Sequence, residues 1–471
     1  MVARDPRFDG VFFVAVKTTG IYCRPICPAR TPGRNRVEFY ATAVQAEAAG
    51  FRACFRCRPE VAPGHAPVDA VDTLVAAATQ RIAEGALNEH SLDDLAAELR
   101  VSARHLRRAL EARLGVSPVE LAQSRRLALA KQLLQDTQLP LTDIAFAAGF
   151  QSVRRFNAVF ADRMGRSPSE LRREHGKGEQ GVTLRLDVRA PYDWPRLLGF
   201  LRARAIPGVE VVGDDVYERV VHLGGKTGTI RVRFATTDKR AGRLALGVSP
   251  ELMPVLMPLV ARVRRMFDLD ARPDQIAATL GRDKLLAPMV KRRPGLRVPG
   301  AIDPFEAAVR ALLGQQVSVA AATTLAGRFA QQLGQPFGAP GDGRWRFPTP
   351  REVVAAGPER IGRLGMPRTR AAAIHALASA IVDRTVVLDG ARELPAFVDQ
   401  LCALPGIGPW TAHYLAMRAL HVPDAFPAAD LGVQKALGMT GPKAAEQHAE
   451  AWRPYRAYAV LHLWTHLSEA S

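Results

Sequence analysis

Four of the five cysteines in this 471-residue chain form two close pairs near the N-terminus, spaced Cys23-x3-Cys27-x26-Cys54-x2-Cys57. Short spacers allow each pair to hold one edge of a tetrahedron, so the pattern predicts one zinc ion per chain, bound by four thiolates. Such a metal can stabilise a segment that is too small to fold around a hydrophobic core. From the spacing alone, a purely structural zinc site is the simplest interpretation.

The composition is that of a globular protein, with 48% hydrophobic and 23% charged residues, and the length predicts three or four domains. No stretch approaches about 18 consecutive apolar residues, and the first residues, "MVARDPRFDG", lack a signal-peptide pattern. We therefore expect a cytoplasmic protein with no membrane partner. Disulfides are rare in that compartment, which favours metal binding or catalysis for the cysteines.

The chain is strongly basic, with a net charge of +18 and a pI of about 10.3. This charge favours a polyanionic partner, most simply nucleic acid. The alternative explanation is the frequent use of arginine in place of lysine by a GC-rich genome. Charge alone does not indicate sequence-specific binding.

Changes in residue pattern divide the chain into four predicted domains. The stretches "EVAPGHAPVD" and "REHGKGEQG" are typical of linkers, and the residues between them have helical periodicity. The segments "VTLRLDV", "VYERVVHL" and "TIRVRFA" alternate like strands, "WPRLLGFLRARA" predicts a helix, and helical periodicity returns from about residue 250. The fold class is therefore multidomain and mainly α with α+β parts, and the predicted domains are residues 1–62, 70–173, 182–296 and 297–471.

The sequence around the four cysteines, from "ARDPRFDG" through "KTTGIYCRPICPAR" to "ACFRCRP", resembles the N-terminal domain of Ada-type DNA methylphosphotriester repair proteins. The resemblance implies that Cys23 accepts the methyl group and that Thr19 and Arg56 contact the DNA phosphate. A metal-bound thiolate can attack the methyl carbon in line, and the transfer would change the formal cluster charge from −2 to −1. Weaker repulsion from DNA phosphates should then raise the affinity for DNA.

Two helix-turn-helix patterns follow, at 91–115 and 141–161, and Gly149 lies at the second turn. Together they resemble the AraC-type DNA-binding domain over roughly 75–173, in which two recognition helices enter successive major grooves. Arginine on such helices can contact guanine edges or phosphates, although a solvated helix face is the simpler explanation for each residue. The candidate contacts on the two helices are Ser102, Arg104, His105, Arg107 and Arg108, and Ser152, Val153, Arg154, Arg155 and Asn157.

A hairpin motif, "LPGIG", lies between two predicted helices near the C-terminus, and Asp430 follows it in a Pro/Ala loop. Gly406 and Gly408 allow a tight turn whose backbone N–H groups can bind a DNA phosphate. The pattern resembles the helix-hairpin-helix DNA glycosylase superfamily, which implies that Asp430 is the catalytic carboxylate. It would stabilise the sugar cation as the C1′–N bond breaks, or orient the attacking water. Capping of the next helix is the structural alternative, and both roles can coexist.

Two absences in the sequence restrict the subfamily. Bifunctional members carry a lysine where this chain has Trp410, so we expect no Schiff base and no strand cleavage. Only Cys402 lies in the C-terminal half, so we expect no iron–sulfur cluster there, and we interpret Cys402 as a small buried apolar residue.

The motifs "DPFEAAVRALLGQQVSVAAATTLAGRFA", "LPGIGPWTAHYLAMR" and "WRPYRAYAVLHLW" resemble the AlkA type of 3-methyladenine DNA glycosylase, from about residue 183 to 468. The resemblance implies that Trp410 and Trp464 line the base pocket and that Gln316 is the wedge that fills the space of the flipped base. An indole ring stacked on a cationic alkylated base gains about 0.5–2 kcal/mol. We interpret Tyr414 and Tyr458 as packing residues.

These resemblances predict a small zinc-bound Ada domain, a helical AraC-type domain, an α+β AlkA N-terminal domain and an all-α helix-hairpin-helix domain. The predicted function is repair of alkylated DNA by a monofunctional glycosylase that removes bases such as 3-methyladenine, joined to a methyl-accepting regulator of the adaptive response. No "PCHR"-like motif is present, so we expect no O6-alkylguanine methyltransferase. The expected partners of this bacterial, nucleoid-associated monomer are alkylated double-stranded DNA, a promoter and RNA polymerase. The alternative is a transcription factor whose glycosylase domain only binds DNA and whose zinc is purely structural.

Overall fold

The computed structural model describes residues 4–64, 73–175, 182–238, 241–388 and 393–470. Large parts of the two predicted linkers, residues 65–69 and 176–181, lie outside these ranges. None of the helices in the described ranges has both the length and the apolar character needed to cross a bilayer. The chain forms two compact units, which are Met1–Ala190 with Arg231–Arg264 and Leu269–Ala271, and Pro191–Ile230 with Arg265–Asp268 and Arg272–Ser471.

The first unit begins with a small four-stranded sheet of order β3-β1-β2-β4 and one helix. β2 pairs antiparallel with β1 and parallel with β4, so that Tyr22 lies opposite Ala53. The cysteine that follows each of these two residues, Cys23 and Cys54, is thereby brought to the same end of the sheet. The elements are β1 (Phe13–Val16), β2 (Ile21–Cys23), β3 (Val37–Tyr40), α1 (Ala43–Ala48) and β4 (Arg52–Ala53).

Eight helices follow in the described part of the first unit, and they contain both predicted helix-turn-helix pairs, α4 with α5 and α7 with α8. A capping box of Ser91 and Asp94 is present at the start of α4. Gly149 lies in the turn before α8 with a φ of 86°, a left-handed conformation that glycine adopts without strain. The helices are α2 (Thr73–Ala83), α3 (Ala86–Glu89), α4 (Leu92–Glu98), α5 (Ala103–Leu114), α6 (Pro118–Asp136), α7 (Leu141–Ala147), α8 (Val153–Met164) and α9 (Pro168–His175).

A five-stranded sheet of order β5-β9-β8-β7-β6 comes next, and the division between the two units passes through β8, after Ile230. The three strands and the helix predicted from the sequence correspond to β5, β7, β8 and α10, whereas β6 and β9 were not predicted. The elements are β5 (Val182–Arg189), α10 (Trp194–Arg202), β6 (Glu210–Val212), β7 (Val216–Leu223), β8 (Lys226–Asp238) and β9 (Ala241–Val248).

The remaining elements are mostly helices, as predicted, together with one short hairpin that the sequence did not reveal. At the centre of the second unit α14 packs against α15, α17 and α19, and its buried residues are almost all apolar. The helices and the hairpin strands are α11 (Leu256–Met266), α12 (Pro273–Leu280), α13 (Leu286–Arg292), α14 (Pro304–Leu313), α15 (Val319–Leu333), β10 (Gln335–Phe337), β11 (Arg344–Arg346), α16 (Pro350–Gly362), α17 (Arg368–Val382), α18 (Leu394–Cys402), α19 (Pro409–Arg418), α20 (Leu431–Leu437), α21 (Pro442–Ala449) and α22 (Arg456–Ala470).

Candidate functional site

The four N-terminal cysteines form one buried cluster in the first unit. Their Sγ atoms all lie within 4.8 Å of one another, and each cysteine is 8% exposed or less. Tetrahedral zinc with Zn–S bonds of about 2.3 Å needs sulfurs about 3.8 Å apart, so small side-chain shifts would complete the site. The spacing, the burial and the all-sulfur donor set therefore fit a zinc ion held by Cys23, Cys27, Cys54 and Cys57.

Hydrogen bonds among the four sulfurs separate the pKa values of the thiols. A hydrogen bond with Cys23 lowers the pKa of Cys54, and a hydrogen bond between Cys23 and Cys27 lowers the pKa of Cys27 to about 7. Hydrogen bonds with other sulfurs raise the pKa values of Cys23 and Cys57. Four thiolates this close would repel one another strongly, and a divalent cation among them relieves that repulsion.

Buried cations hold the backbone around the cluster. Arg24, which is 4% exposed, donates to the Cys57 carbonyl at 3.2 Å and forms ion pairs with Asp9 and Asp187. Its backbone N–H donates to Cys57 Sγ at 3.4 Å. These groups orient the ligands, and the sequence analysis missed them because Asp187 is far away along the chain.

Lys131 of α6 also binds a backbone carbonyl of the second cysteine pair. Its side chain is fully buried, and Nζ donates to the Cys54 carbonyl at 2.9 Å and to Glu60 Oε2 at 2.7 Å. A lysine within the apolar run "LALAKQLL" is unusual for a helix face, and that pattern could have signalled a buried ion pair.

The predicted phosphate contacts, Thr19 and Arg56, are both exposed. Thr19 lies in the turn between β1 and β2, where Oγ1 donates to the Val16 carbonyl at 3.4 Å. Arg56 lies between the second pair of cysteines. The structure therefore places the two residues at the protein surface, while the four cysteines are buried.

The two candidate recognition helices, α5 and α8, expose equivalent faces. Both bury two residues four apart, Leu106 and Leu110 in α5 and Phe156 and Phe160 in α8. Ser102 and Ser152 precede these helices and cap them by accepting N–H hydrogen bonds at 3.2 Å. The predicted contacts that lie within these helices and are exposed are Arg104, His105, Arg107 and Arg108, and Arg154, Arg155 and Asn157.

In the second unit, Asp430 lies immediately before α20, and three N–H groups donate to its carboxylate. Oδ1 accepts from Val433 N at 2.9 Å, which is the capping role considered above. Trp464 Nε1 donates to Oδ1 at 2.9 Å, and Trp410 Nε1 donates to Oδ2 at 2.8 Å. The two predicted pocket tryptophans are thus brought together with Asp430, and they hold its carboxylate in place.

Asp430 and both tryptophans line a cavity of about 310 Å³, within the range of small-molecule sites. Tyr414, interpreted above as a packing residue, lines it too and stacks on Trp410 with ring centroids 5.3 Å apart. Phe200 lines the same cavity. Tyr458 is buried and donates to Asp268 at 3.0 Å, which agrees with a packing role. The cavity offers flat aromatic surfaces to a planar ligand.

The hairpin before α19 needs glycine at Gly406. Its φ is 75°, and a Cβ at this position would approach the Ala373 Cβ to 2.7 Å. Gly408 is the N-cap of α19 and has open space around it. The exposed backbone of this turn is therefore accessible to a ligand.

The predicted wedge, Gln316, is exposed in the loop between α14 and α15 and has a φ of 57°. Its neighbour Gln315 donates to the Gly406 carbonyl at 3.0 Å and to Thr411 Oγ1 at 3.1 Å, so the loop is fastened to the hairpin. Val317, on the other side, lines the cavity. Cys402, predicted to be buried, is partly exposed because it ends α18.

Four family models match successive parts of the chain. They are the metal binding domain of Ada at residues 1–60, a helix-turn-helix domain at 95–174, the AlkA N-terminal domain at 183–303 and the HhH-GPD superfamily of base excision DNA repair proteins at 309–454. The class defined by fold and site is thus a DNA repair protein that combines an Ada-type metal domain with an AlkA-type glycosylase fold.

One similar protein matches nearly the whole chain, and others match about three fifths of it. The chain is 41% identical, over 99% of its length and 95% of the relative, to the "Probable bifunctional transcriptional activator/DNA repair enzyme AlkA" of Mycobacterium tuberculosis. It is 39% identical, over 59% of its length and 95% of the relative, to "DNA-3-methyladenine glycosylase 2" of Escherichia coli. The solved 3-methyladenine DNA glycosylase of Archaeoglobus fulgidus shares the fold, with a TM-score of 0.52 and 20% identity over 61% of this chain and 99% of that one. The chain belongs to the family of bifunctional transcriptional activator/DNA repair proteins of the AlkA type.

Proposed function

We propose that the C-terminal part of the chain is a monofunctional DNA glycosylase that releases damaged purines, such as 3-methyladenine, by hydrolysing the N-glycosidic bond. The observation that carries this proposal is the carboxylate of Asp430, held at the wall of an aromatic cavity by two indole N–H groups. The cavity has room for one flipped base, and its lining residues include no lysine among those described. Without an amine there, the attacking group is water and the DNA strand stays intact.

Each part of the cavity has a defined task in this reaction. Trp410, Tyr414 and Trp464 pack against one another and provide aromatic surfaces in the cavity for an inserted base. As the C1′–N bond breaks, its electron pair goes to the base, and positive charge develops on the sugar. The fixed oxygens of Asp430 stabilise that charge without reorganisation and can accept the proton of the water that adds to C1′.

The DNA contacts of this part follow from the same arrangement. We propose that the hairpin backbone at Gly406 and Gly408 binds a phosphate beside the flipped nucleotide. Gln316, exposed on a loop that Gln315 ties to this hairpin, fills the space left in the duplex. The fastened loop would keep the wedge and the phosphate contact at a fixed separation.

For the N-terminal part we propose stoichiometric transfer of a methyl group from a DNA phosphotriester to Cys23. One zinc ion, bound by the four cysteines, would supply the charge that keeps the sulfurs deprotonated. The other three sulfurs accept backbone N–H hydrogen bonds, Cys27 from Ala29, Cys54 from Cys57 and Cys57 from Arg24. Such bonds weaken a thiolate as a nucleophile, and this favours Cys23 as the one that reacts.

We further propose that these functions belong to separate parts of a four-domain protein, with domains at 1–62, 70–173, 182–296 and 297–471. The second of these would bind a promoter through the exposed faces of α5 and α8, with Arg104, Arg107, Arg154 and Arg155 as the contacts. Thr19 and Arg56 would contact the phosphate beside Cys23. In this proposal the protein is a monomer that activates transcription after methyl transfer, with RNA polymerase as its partner.

The Asp430→Asn variant tests the glycosylase proposal. Asparagine also caps helices well, so α20 should stay folded while the charge beside the sugar is lost. We expect single-turnover release of 3-methyladenine or N7-methylguanine to fall at least about a hundredfold. Undiminished release would contradict the role of Asp430. A protein that binds the same DNA with no release even in the wild type would instead support a transcription factor whose glycosylase fold only binds DNA.

A further inference from the structure

The strand β5 lies at the edge of the five-stranded sheet, and other parts of the first unit cover it. Among the described strands, only β9 pairs with β5. At the edge that β9 leaves free, Gln132 of α6 donates to the carbonyl of Arg185 at 2.9 Å, and the backbone N–H of Arg185 donates to Asp136 at 3.4 Å. Backbone groups at a bare edge would lack such partners. The edge of this sheet is therefore a docking surface within the first unit.

Two side chains on one face of β5 contact the segment that contains the four cysteines. Asp187 and Arg189 are two residues apart, so they lie on the same face of the strand. Asp187 Oδ2 accepts from Arg24 Nη1 at 2.8 Å. Arg189 donates to the Asp9 carbonyl at 3.0 Å and to the Gly64 carbonyl at 2.6 Å. Arg189 thus joins the beginning and the end of the cysteine segment.

The contact between Asp187 and Arg24 belongs to a buried group of charges. Arg24 also pairs with Asp9, and all three residues are 6% exposed or less. Arg243 of β9 lies opposite Asp187 in the register and donates to its Oδ1 at 2.8 Å. Burial would raise the pKa of Asp187, but Arg24 and Arg243 hold it below its usual range. Two cations and two carboxylates therefore balance, and loss of Asp187 would leave a surplus positive charge inside the protein.

Arg24 transmits this contact to the cysteine cluster. It directly follows Cys23, and its backbone N–H donates to Cys57 Sγ at 3.4 Å. The nitrogen that binds Asp187, Nη1, also donates to the Cys57 carbonyl at 3.2 Å. The carboxylate of Asp187 therefore holds the guanidinium of Arg24 against the Cys57 carbonyl. Because Arg24 adjoins Cys23, this contact also fixes the backbone from which the Cys23 side chain extends.

We propose that β5 forms part of the methyl-acceptor site and that Asp187 is a positioning residue for Cys23. The part of the chain that matches the AlkA N-terminal domain thereby contributes a residue to the metal domain, 163 positions after Arg24. This inference rests on the proposed methyl transfer, in which the Cys23 thiolate attacks the methyl carbon and the electron pair of the broken C–O bond stays on the phosphate oxygen. Asp187 makes and breaks no bond in this step. It keeps Cys23 in line for the attack by holding Arg24.

The Asp187→Asn variant of the full-length, zinc-loaded protein tests this role. Asparagine has nearly the same size as aspartate but cannot neutralise Arg24. Methyl transfer is measured on a duplex with one methylphosphotriester, and zinc loss is measured in excess chelator without DNA. We expect transfer at saturating DNA to slow about ten- to hundredfold and zinc loss to become at least about fivefold faster. The DNA concentration that gives half the maximal rate should stay unchanged, because Asp187 is buried.

Asp214→Asn is the matched control, because it removes the same charge from an exposed residue that pairs with Arg202 at 3.2 Å. It should change neither measurement. Arg243→Gln is a second variant, which removes only the partly exposed partner of Asp187 and keeps the pair with Arg24. It should fold even if Asp187→Asn does not, and we expect it to slow methyl transfer about two- to fivefold.

Base release from alkylated DNA by the same samples separates positioning from a general loss of structure. It should stay within about twofold of the wild-type rate in every variant, because Asp430 belongs to the second unit. Equal losses of base release and methyl transfer in Asp187→Asn would overturn the proposal. So would unchanged transfer in Asp187→Asn, or in Arg243→Gln if Asp187→Asn does not fold. A wild type that binds zinc but accepts no methyl group would refute the methyl-transfer proposal instead, and the rate of zinc loss would still decide whether Asp187 holds the cluster.

Discussion

The cysteine cluster of the first unit and the aspartate cavity of the second each present an anion, but they are built differently. The cluster combines the last residue of β2, Cys23, with three ligands from the loops that follow β2 and β4, and its sulfurs mainly contact one another. In the cavity, Asp430 receives hydrogen bonds from Trp410 on α19 and Trp464 on α22, which belong to a packed helical core. The donor set of the first site is thus that of a metal centre, whereas the second site is organised by hydrogen bonds from the fold itself.

Metal removal should produce the largest difference between the two sites. Zinc bound by four thiolates contributes about 10–16 kcal/mol of apparent binding energy, and most of it is folding energy for a small domain. We expect chelation to unfold residues 4–64 and to leave base release by the second unit within about twofold of its original rate, because the reaction proposed there uses Asp430 and water. Limited proteolysis, zinc content and single-turnover release, measured on one sample, check this. Loss of base release on chelation would show that the cavity also depends on the metal.

The Lys131→Met variant should have the next largest effect. It removes the buried partner of Glu60 and the donor to the Cys54 carbonyl, and breaking a buried pair costs about 3–5 kcal/mol. Denaturant unfolding of the first unit measures this cost. The matched control is Lys17→Met, because the Lys17–Glu38 pair is about half exposed and should contribute less than about 1 kcal/mol. Equal effects of the two variants would contradict a structural role for Lys131.

The same pair predicts how stability depends on pH. Burial would raise the pKa of Glu60, but Lys131 and Arg58 outweigh it and hold that pKa below its usual range. A carboxyl group with a lowered folded-state pKa adds stability above its unfolded pKa of about 4.3, and this is lost as the pH falls through the folded value. The wild type should therefore lose stability in acid below that pH. In Lys131→Met the folded-state pKa of Glu60 should rise toward its unfolded value, so this loss in acid should be smaller than in the wild type.

Trp464→Phe tests whether the indole N–H groups hold the aspartate. Phenylalanine keeps an aromatic face but removes one hydrogen bond to the charged carboxylate, which is worth about 1.5–3 kcal/mol. We expect base release to slow about ten- to hundredfold. Trp452→Phe removes a similar bond, to Asp283 at 2.9 Å, from a tryptophan that does not line the cavity. It should lower stability and leave the rate of base release of the folded protein unchanged.

Gln316→Gly should have the smallest effect on stability and can separate strain from function. Glycine accepts a φ of 57° without steric cost, so the free energy of unfolding should change by no more than about 1 kcal/mol. The loss of the side chain should nevertheless reduce base release, because nothing then fills the space of the flipped base. Unchanged release would exclude Gln316 as the wedge.

The two sites also differ in how far the sequence predicts them. The cysteine cluster follows from local spacing, and the hairpin, Asp430 and both tryptophans from short motifs. Arg24, Asp187 and Lys131 could not be found in this way, since their contacts depend on segments far apart along the chain. Tyr414 was assigned to packing because helical spacing does not distinguish a core aromatic residue from one that lines a cavity.

The fold shows the same limit. Strands with clear alternation, such as β5, β7 and β8, were predicted, and so were the helix-turn-helix pairs. β9 was missed because alanine and glycine, and not only polar residues, separate the large apolar residues of "GRLALGV". β6 and the β10–β11 hairpin were missed because their strands have only three residues each. Partial exposure of Cys402 reflects the end of α18, a boundary that sequence patterns locate poorly.

One measurement tests most directly whether the two sites carry separate chemistries. Methylated duplex DNA is incubated with the wild type, Asp430→Asn and Cys23→Ser, and both released bases and methylated protein are quantified by mass spectrometry. We predict that Asp430→Asn abolishes base release but still transfers a methyl group to Cys23. We predict that Cys23→Ser still releases bases but accepts no methyl group. Base release that persists in Asp430→Asn, or methyl transfer that persists in Cys23→Ser, would contradict the assignment of these two residues.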